Sequence, residues 1–144
     1  MKKVLQYAAR LTPELPEEGG YTVTFRDVPE AITEGSTLEE ALHYAQEVLV
    51  LALEHYLGEK RSAPVPTAPK KGEHLVTLPI SLALQLTLMN EMVAQGVRPV
   101  DLAKRLGTSK QEVNRLTTLR HVTKVDRIAD ALTVLGKRIE IHVA

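Results

Sequence analysis

Cysteine is absent from the 144 residues. The chain therefore has no disulfide, no thiolate metal site and no cysteine nucleophile to offer. Tryptophan is absent too, and Phe25 is the only phenylalanine. That leaves little for an aromatic base-stacking platform. Net charge is also missing: 18 basic residues balance 18 acidic ones, which excludes a uniformly basic nucleic-acid coat but not a local patch. No apolar run approaches the ~18 residues of a membrane span. The charged start Met1-Lys2-Lys3 is not followed by the apolar stretch of a signal peptide. A cytoplasmic protein with no membrane partner is expected. What remains is 44% hydrophobic and 25% charged residues, the balance of a folded chain, at a length that admits one ordinary domain or two small ones.

The zero net charge hides an asymmetry. Residues 1–72 carry eight basic and eleven acidic side chains, whereas residues 73–144 carry ten and seven. Within 98–138 the count is ten against four. An acidic half and a basic half point to two modules with different partners. Between them, residues 61–72 hold Pro64, Pro66 and Pro69 and almost no large apolar side chain. Such a segment cannot be a helix interior or a central strand and reads as an extended connector. The expected division is 1–79, with 61–72 as a connector before its last strand, and 80–144.

The first module reads as α+β. Tyr21-Thr22-Val23-Thr24-Phe25 alternates apolar and polar after the turn signal Gly19-Gly20, as a half-buried strand does. The run 5–11 is its expected hairpin partner, joined through a Pro13/Pro16 loop. Residues 28–33 permit a short third strand. Thr37-Leu38-Glu39-Glu40 has the spacing of a capping box. From Leu38 to Tyr56 the apolar positions keep helical spacing, with Gly58 placed to end the helix. Residues 74–78, closed by Pro79, supply another strand. One helix on a three- or four-stranded sheet is close to the smallest layer pair that holds a core, so association is expected.

The second module reads as all-helical with a closing strand. In residues 99–118, Ala103 fits the close crossing of two short helices, and Gly107 fits a turn that needs positive φ. Val113 completes offsets of zero, four and ten from Ala103, and Leu102, Leu106, Val113 and Leu116 point into a shared core. This is the pattern of a helix-turn-helix whose second helix enters the major groove of DNA. The outward positions of that helix carry Ser109, Lys110, Gln111, Asn114, Arg115 and Thr118, all able to hydrogen-bond to bases or phosphates. Glu112 is placed to stabilise the helix start instead, and Lys124 is a phosphate-contact candidate. Residues 82–95 form a helix with apolar positions nearly all round, and 126–135 form another that ends at Gly136. The tail 138–143 alternates apolar and polar. A helix apolar on several faces and a strand without a partner both point to self-association, through Leu86, Met89, Val93, Ile139, Ile141 and Val143. A two-fold dimer would read half-sites about 34–36 Å apart.

Catalytic patterns are weak. His43, His55, His74, His121 and His142 lack the spacing that puts two imidazoles on one helix face. Ser36, Ser62, Ser81 and Ser109 lack a nucleophile elbow. Thr24, Asp27 and Glu30 cluster after the second strand, but a two-metal nuclease needs several carboxylates converging from strands, and residues 4–11 and 75–78 carry none. No metal, no cofactor and no catalytic residue are expected.

Residues 19–31, Gly-Gly-Tyr-Thr-Val-Thr-Phe-Arg-Asp-Val-Pro-Glu-Ala, and the helix start Thr37-Leu38-Glu39-Glu40-Ala41 resemble the HicB antitoxin family. So do 102–116, 120–126 and 135–138, so that the resemblance covers nearly the whole chain. Arg26 stands where the family often has proline and Glu30 where it often has glycine, and the loop before Gly19 is long. The resemblance implies a partial ribonuclease-H-like first domain that binds and masks a HicA-type toxin, a small mRNA-cleaving protein. It implies a DNA-binding second domain that represses the family's own operon, assembly into dimers or tetramers, and no enzymatic activity. An acidic module is a sensible mask for a basic RNA-cleaving toxin, with Tyr21, Arg26, Asp27, Glu30 and Glu34 as the expected toxin-facing residues. Two other classes compete. A nuclease on the same scaffold lacks the strand acids, and fold alone does not confer the chemistry. A ligand-responsive repressor would need a pocket in so small a sheet.

Overall fold

The structure, a computed structural model, describes residues 6–15, 19–118 and 124–143. The expected start of the first strand at Leu5, Pro16 in the loop, and residues 120–123 of the family stretch, His121 among them, lie outside the described residues. The chain divides into two compact units, Met1–His55 with Pro64–Ile80, and Tyr56–Ala63 with Ser81–Ala144.

In the first unit, strand β1 (Gln6–Pro13) pairs antiparallel with β2 (Tyr21–Phe25), Leu11 opposite Val23 and Ala9 opposite Phe25. Strand β3 (Ile32–Gly35) continues the sheet beside β2, and β4 (His74–Thr77) lies on the other side of β1 with Tyr7 opposite Val76. The sheet is antiparallel throughout, in the order β3-β2-β1-β4. The period of two puts Tyr7, Ala9, Val23, Phe25 and Val76 on one face, and all five are buried. Each large apolar side chain so covered stabilises the unit by about 1.5–3 kcal/mol.

The third strand differs from expectation. Backbone bonds from Val28 N–H to Phe25 O and from Ala31 N–H to Val28 O turn the chain over 26–31, so β3 begins only at Ile32. Pro29 explains the delay, because it has no N–H to give to a ladder.

Helix α1 (Leu38–Gly58) follows. Thr37 Oγ1 accepts from the Glu40 amide at 3.1 Å, while Glu40 Oε1 accepts from the Ser36 amide at 3.1 Å. The reciprocal cap thus reaches one residue further back than the spacing implies. Ala41, Ala45, Leu49, Leu53 and Leu57 repeat every four residues and are all buried, and Gln46 Nε2 donates to Thr77 O at 3.0 Å. The first turn of α1 lies hard against β3: a Cβ on Gly35 would stand 2.5 Å from the Ala41 nitrogen. Gly58 is the last helical residue rather than the left-handed stop, which is taken by Lys60 at φ 56°.

In the second unit, helices α2 (Ile80–Gln95), α3 (Pro99–Leu106), α4 (Lys110–Leu116) and α5 (Val125–Val134) surround a core built on Leu88, Met92, Leu102, Val113, Ile128 and Leu132. Pro99 opens α3, where its fixed φ suits a helix start and its missing N–H goes unneeded. The Asp101 carboxylate receives both the Arg98 amide and its guanidinium at 3.0–3.1 Å. Gly107, at φ 68°, closes α3 and lets the chain enter α4 within three residues. Gln95 Nε2 donates to Leu135 O at 2.8 Å and ties the ends of α2 and α5 together.

Two expectations for this unit involve a second subunit. The tail 137–143 forms no strand in the single chain, because a strand needs a neighbour to take its backbone hydrogen bonds. Ile139 instead packs against the helical core. Leu86 and Met89, expected at a subunit interface, are already buried within the chain. The apolar faces of α2 therefore do not by themselves require a second subunit.

Candidate functional site

Two groups of polar residues stand out, one in each unit. In the first, Arg26 and Asp27 follow β2 directly and face the start of β4. Arg26 Nε donates to both oxygens of Glu73 at 3.0–3.1 Å, and its Nη atoms reach Thr67 Oγ1 and Ala68 O. Asp27 accepts from the Thr67 amide at 2.8 Å and from its hydroxyl at 2.9 Å. Glu73, with a side chain only 3% exposed, also accepts from the Lys70 amide at 2.6 Å. The Arg26 hydrogen bond, helped by that amide, holds the Glu73 carboxyl below the usual carboxylate range. The same pair raises the Arg26 guanidinium further. Behind it, the buried Tyr7 hydroxyl donates to Pro64 O at 2.5 Å. Burial first, and the charge of Asp27 second, push its pKa well above a phenol's ordinary value.

These bonds fasten residues 64–73 to the sheet, so this stretch is a strap rather than a loose connector. Residues 62–63 are fastened elsewhere. Ser62 Oγ and the Ala63 amide donate to Asn90 Oδ1 of α2 at 3.3 and 2.8 Å. Of the residues read from the sequence as toxin-facing, Arg26 and Asp27 are therefore engaged in holding the strap. Tyr21 is half-buried at the start of β2. Glu30 in the turn and Glu34 on edge strand β3 are exposed.

The second group is gathered on α4. Ser109 caps the helix, its Oγ accepting from the Glu112 amide at 3.2 Å. Val113 and Leu116 are buried and fix which face turns inward. Lys110, Gln111, Arg115 and Thr118 are then exposed and Asn114 half-exposed. Arg115 lies 3.5 Å from Glu112 on the same helix, an exposed pair of the kind that contributes little to stability. Lys124, at the N-cap of α5, is exposed. Below the far end of α4, the buried Gln85 donates from Nε2 to Thr118 O at 3.1 Å. The outward face of α4 is a row of hydrogen-bond donors and amides on a rigid support, which is the chemistry of base-edge and phosphate contact.

Of the residues expected at a self-association surface, Val93, Ile141 and Val143 are 45%, 84% and 93% exposed. Among the described residues, no group of three or more His, Asp or Glu side chains could hold a metal ion, and no helix is long and apolar enough to cross a membrane.

Sequence reasoning missed Glu73, Thr67, Lys60, Gln85 and Asn90. Gln85 and Asn90 left a signal, since they are the two amides in the mostly apolar 82–93, and an amide kept in a buried helix face has a partner. Nothing local marks the other three.

Fold and site together define a protein of two units: an antiparallel sheet with one helix, followed by an all-helical unit presenting a polar helix face. The sequence profile of the family described as "HicB_like antitoxin of bacterial toxin-antitoxin system" matches residues 6–87. Among curated relatives, Antitoxin HicB 2 of Photorhabdus laumondii subsp. laumondii is 41% identical over 141 residues, 98% of this chain and 98% of the relative. Antitoxin HicB of Escherichia coli is 36% identical over 137 residues, 95% and 98% of the two chains. Antitoxin HicB of Pseudomonas fluorescens is 33% identical over 128 residues, 88% of each. The chain belongs to the HicB-like antitoxin family, and membership in a family of antitoxins agrees with the expectation that it is not an enzyme.

Proposed function

We propose that this protein masks a HicA-type mRNA-cleaving toxin through its sheet-plus-helix unit and represses its own operon through α3 and α4. The first unit is read as the partial ribonuclease-H-like domain of the family, with α1 between the two edge strands. Its docking surface is drawn from Tyr21, Glu30 and Glu34, with Arg26 and Asp27 acting from behind by holding the strap. Acidic side chains at a rim speed the encounter with a basic toxin more than they slow its escape.

One observation carries the repressor half of the reading. Helix α4 buries Val113 and Leu116 and turns Lys110, Gln111, Asn114 and Arg115 outward, with Thr118 exposed just past its end, as a recognition helix in the major groove must. Lys124 is the phosphate contact. Self-association is assigned to Val93, Ile141 and Val143, with the tail pairing to its copy in a second subunit. The two functions are tested together by co-expression with the neighbouring toxin gene and by binding to DNA upstream of the operon. Rescue of growth with retention of the duplex is expected. Failure of the full chain to relieve toxin-dependent RNA cleavage contradicts the first half, and failure to bind that DNA contradicts the second.

A further inference from the structure

Lys60 is the only non-glycine among the described residues with positive φ, at 56°. A lysine is strained there where a glycine is not, yet Gly58 sits two residues earlier and stays helical. Strain held at one residue is a reason to ask what it positions. The turn around it is pinned within the second unit. The Arg61 amide donates to Tyr56 O at 3.0 Å, and its guanidinium lies 4.5 Å from the centre of the Tyr56 ring. The next two residues are clamped by Asn90, whose Nδ2 also returns a bond to Ala63 O at 3.3 Å. The result is an exposed ammonium, Lys60 Nζ, 3.4 Å from Asn114 Oδ1 on α4.

An ammonium can only donate. The Asn114 amide must therefore turn its oxygen toward Lys60 and its NH2 group away. An amide with both ends free reads adenine by donating and accepting at once. An amide whose oxygen is held by lysine offers chiefly its donor end, which suits an acceptor edge such as guanine N7 and O6 or thymine O4. Lys60 has further N–H donors for a phosphate beside the groove. We propose that Lys60, which lies outside the helix pair, belongs to the DNA-binding surface. It positions Asn114 as a donor toward an acceptor-bearing base edge and contacts the adjoining phosphate. The inference rests on α4 being the recognition helix.

The test uses the full chain and DNA duplexes tiled across the region upstream of its own coding sequence, then single base-pair substitutions in the best-bound duplex. Lys60→Met should weaken binding by about tenfold and lower the slope of log affinity against log salt by about one. It should also broaden base preference at the position that Asn114→Ala makes indifferent, and the double variant should be no broader there than Asn114→Ala alone. Lys60→Gly relieves the strained φ, so it should lose the same affinity without loss of thermal stability, which separates a lost contact from a lost fold. Lys71→Met, an exposed lysine of the strap, should bind like the unaltered chain. Full affinity and an unchanged salt slope in both Lys60 variants, with Arg115→Ala weakened, would overturn this inference and leave the α4 reading standing. If Arg115→Ala and Asn114→Ala also bind fully, or no duplex is bound, the α4 reading fails and the inference with it.

Discussion

Gly35 and Glu73 show how much rests on single residues here. Gly35 carries no side chain because α1 begins against it, and a Cβ would fall 2.5–2.6 Å from the backbone of Ala41. Backbone cannot swing aside as a side chain can. Gly35→Ala is therefore expected to destabilise the first unit by about 1–3 kcal/mol, read as a lower denaturant midpoint with an unchanged slope. Glu73 is the anchor of the strap. Its folded pKa lies below the unfolded value of about 4.3. Its contribution is thus complete above that value and is lost as pH falls through the folded pKa. Amide exchange at Thr67 and Lys70, corrected for the intrinsic pH dependence of exchange, should accelerate as pH falls below that unfolded value and on through the folded one. In Glu73→Gln the Lys70 amide should exchange fast already at neutral pH and lose the acid step. Equal protection in both proteins across the range would mean that the ion pair does not hold the strap. Arg26, a departure from the residue common in the family, is explained by the same contacts.

At the scale of elements, what the sequence revealed is what neighbours along the chain decide. The β1–β2 hairpin, α1, the α3–α4 pair and their caps follow from periods of two and 3.6 and from Gly107, Thr37 and Glu40, all within one turn of their partners. The strap does not follow, because Arg26 and Glu73 are 47 positions apart and any acidic residue could have met the guanidinium. The true start of β3 was hidden by a proline whose cost is paid in ladder bonds rather than in pattern. The burial of Leu86 and Met89 was misattributed because periodicity reports that a face is covered and not by what. Gln85 tests whether α4 is held from beneath. Gln85→Leu removes the donor to Thr118 O and should cost the second unit about 1 kcal/mol. If the end of α4 matters for DNA, it should weaken binding beyond that loss. Lys124→Ala should weaken binding to all duplexes alike and flatten the salt dependence. A base-specific loss in Lys124→Ala would contradict its assignment to phosphate.

Across the whole molecule, charge and surface are divided between the units. The acidic excess lies in the first half of the sequence and the basic excess in the second, and the exposed apolar tail lies at the far end. Truncation after Gly136 removes Ile139, Ile141 and Val143. Sedimentation should then show a smaller assembly, with DNA affinity falling because two half-sites are no longer read at once. An unchanged assembly would move the interface to Val93 or to another surface of the chain. The central claim is that one chain serves two partners through separate surfaces. The most direct measurement takes the full chain carrying Lys110→Ala and Arg115→Ala and compares two readouts: protection of RNA from the toxin, and affinity for the upstream duplex. Protection equal to that of the unaltered chain, with duplex affinity reduced at least tenfold, is the predicted result. Loss of both in a protein that still melts normally, or loss of neither, would contradict it.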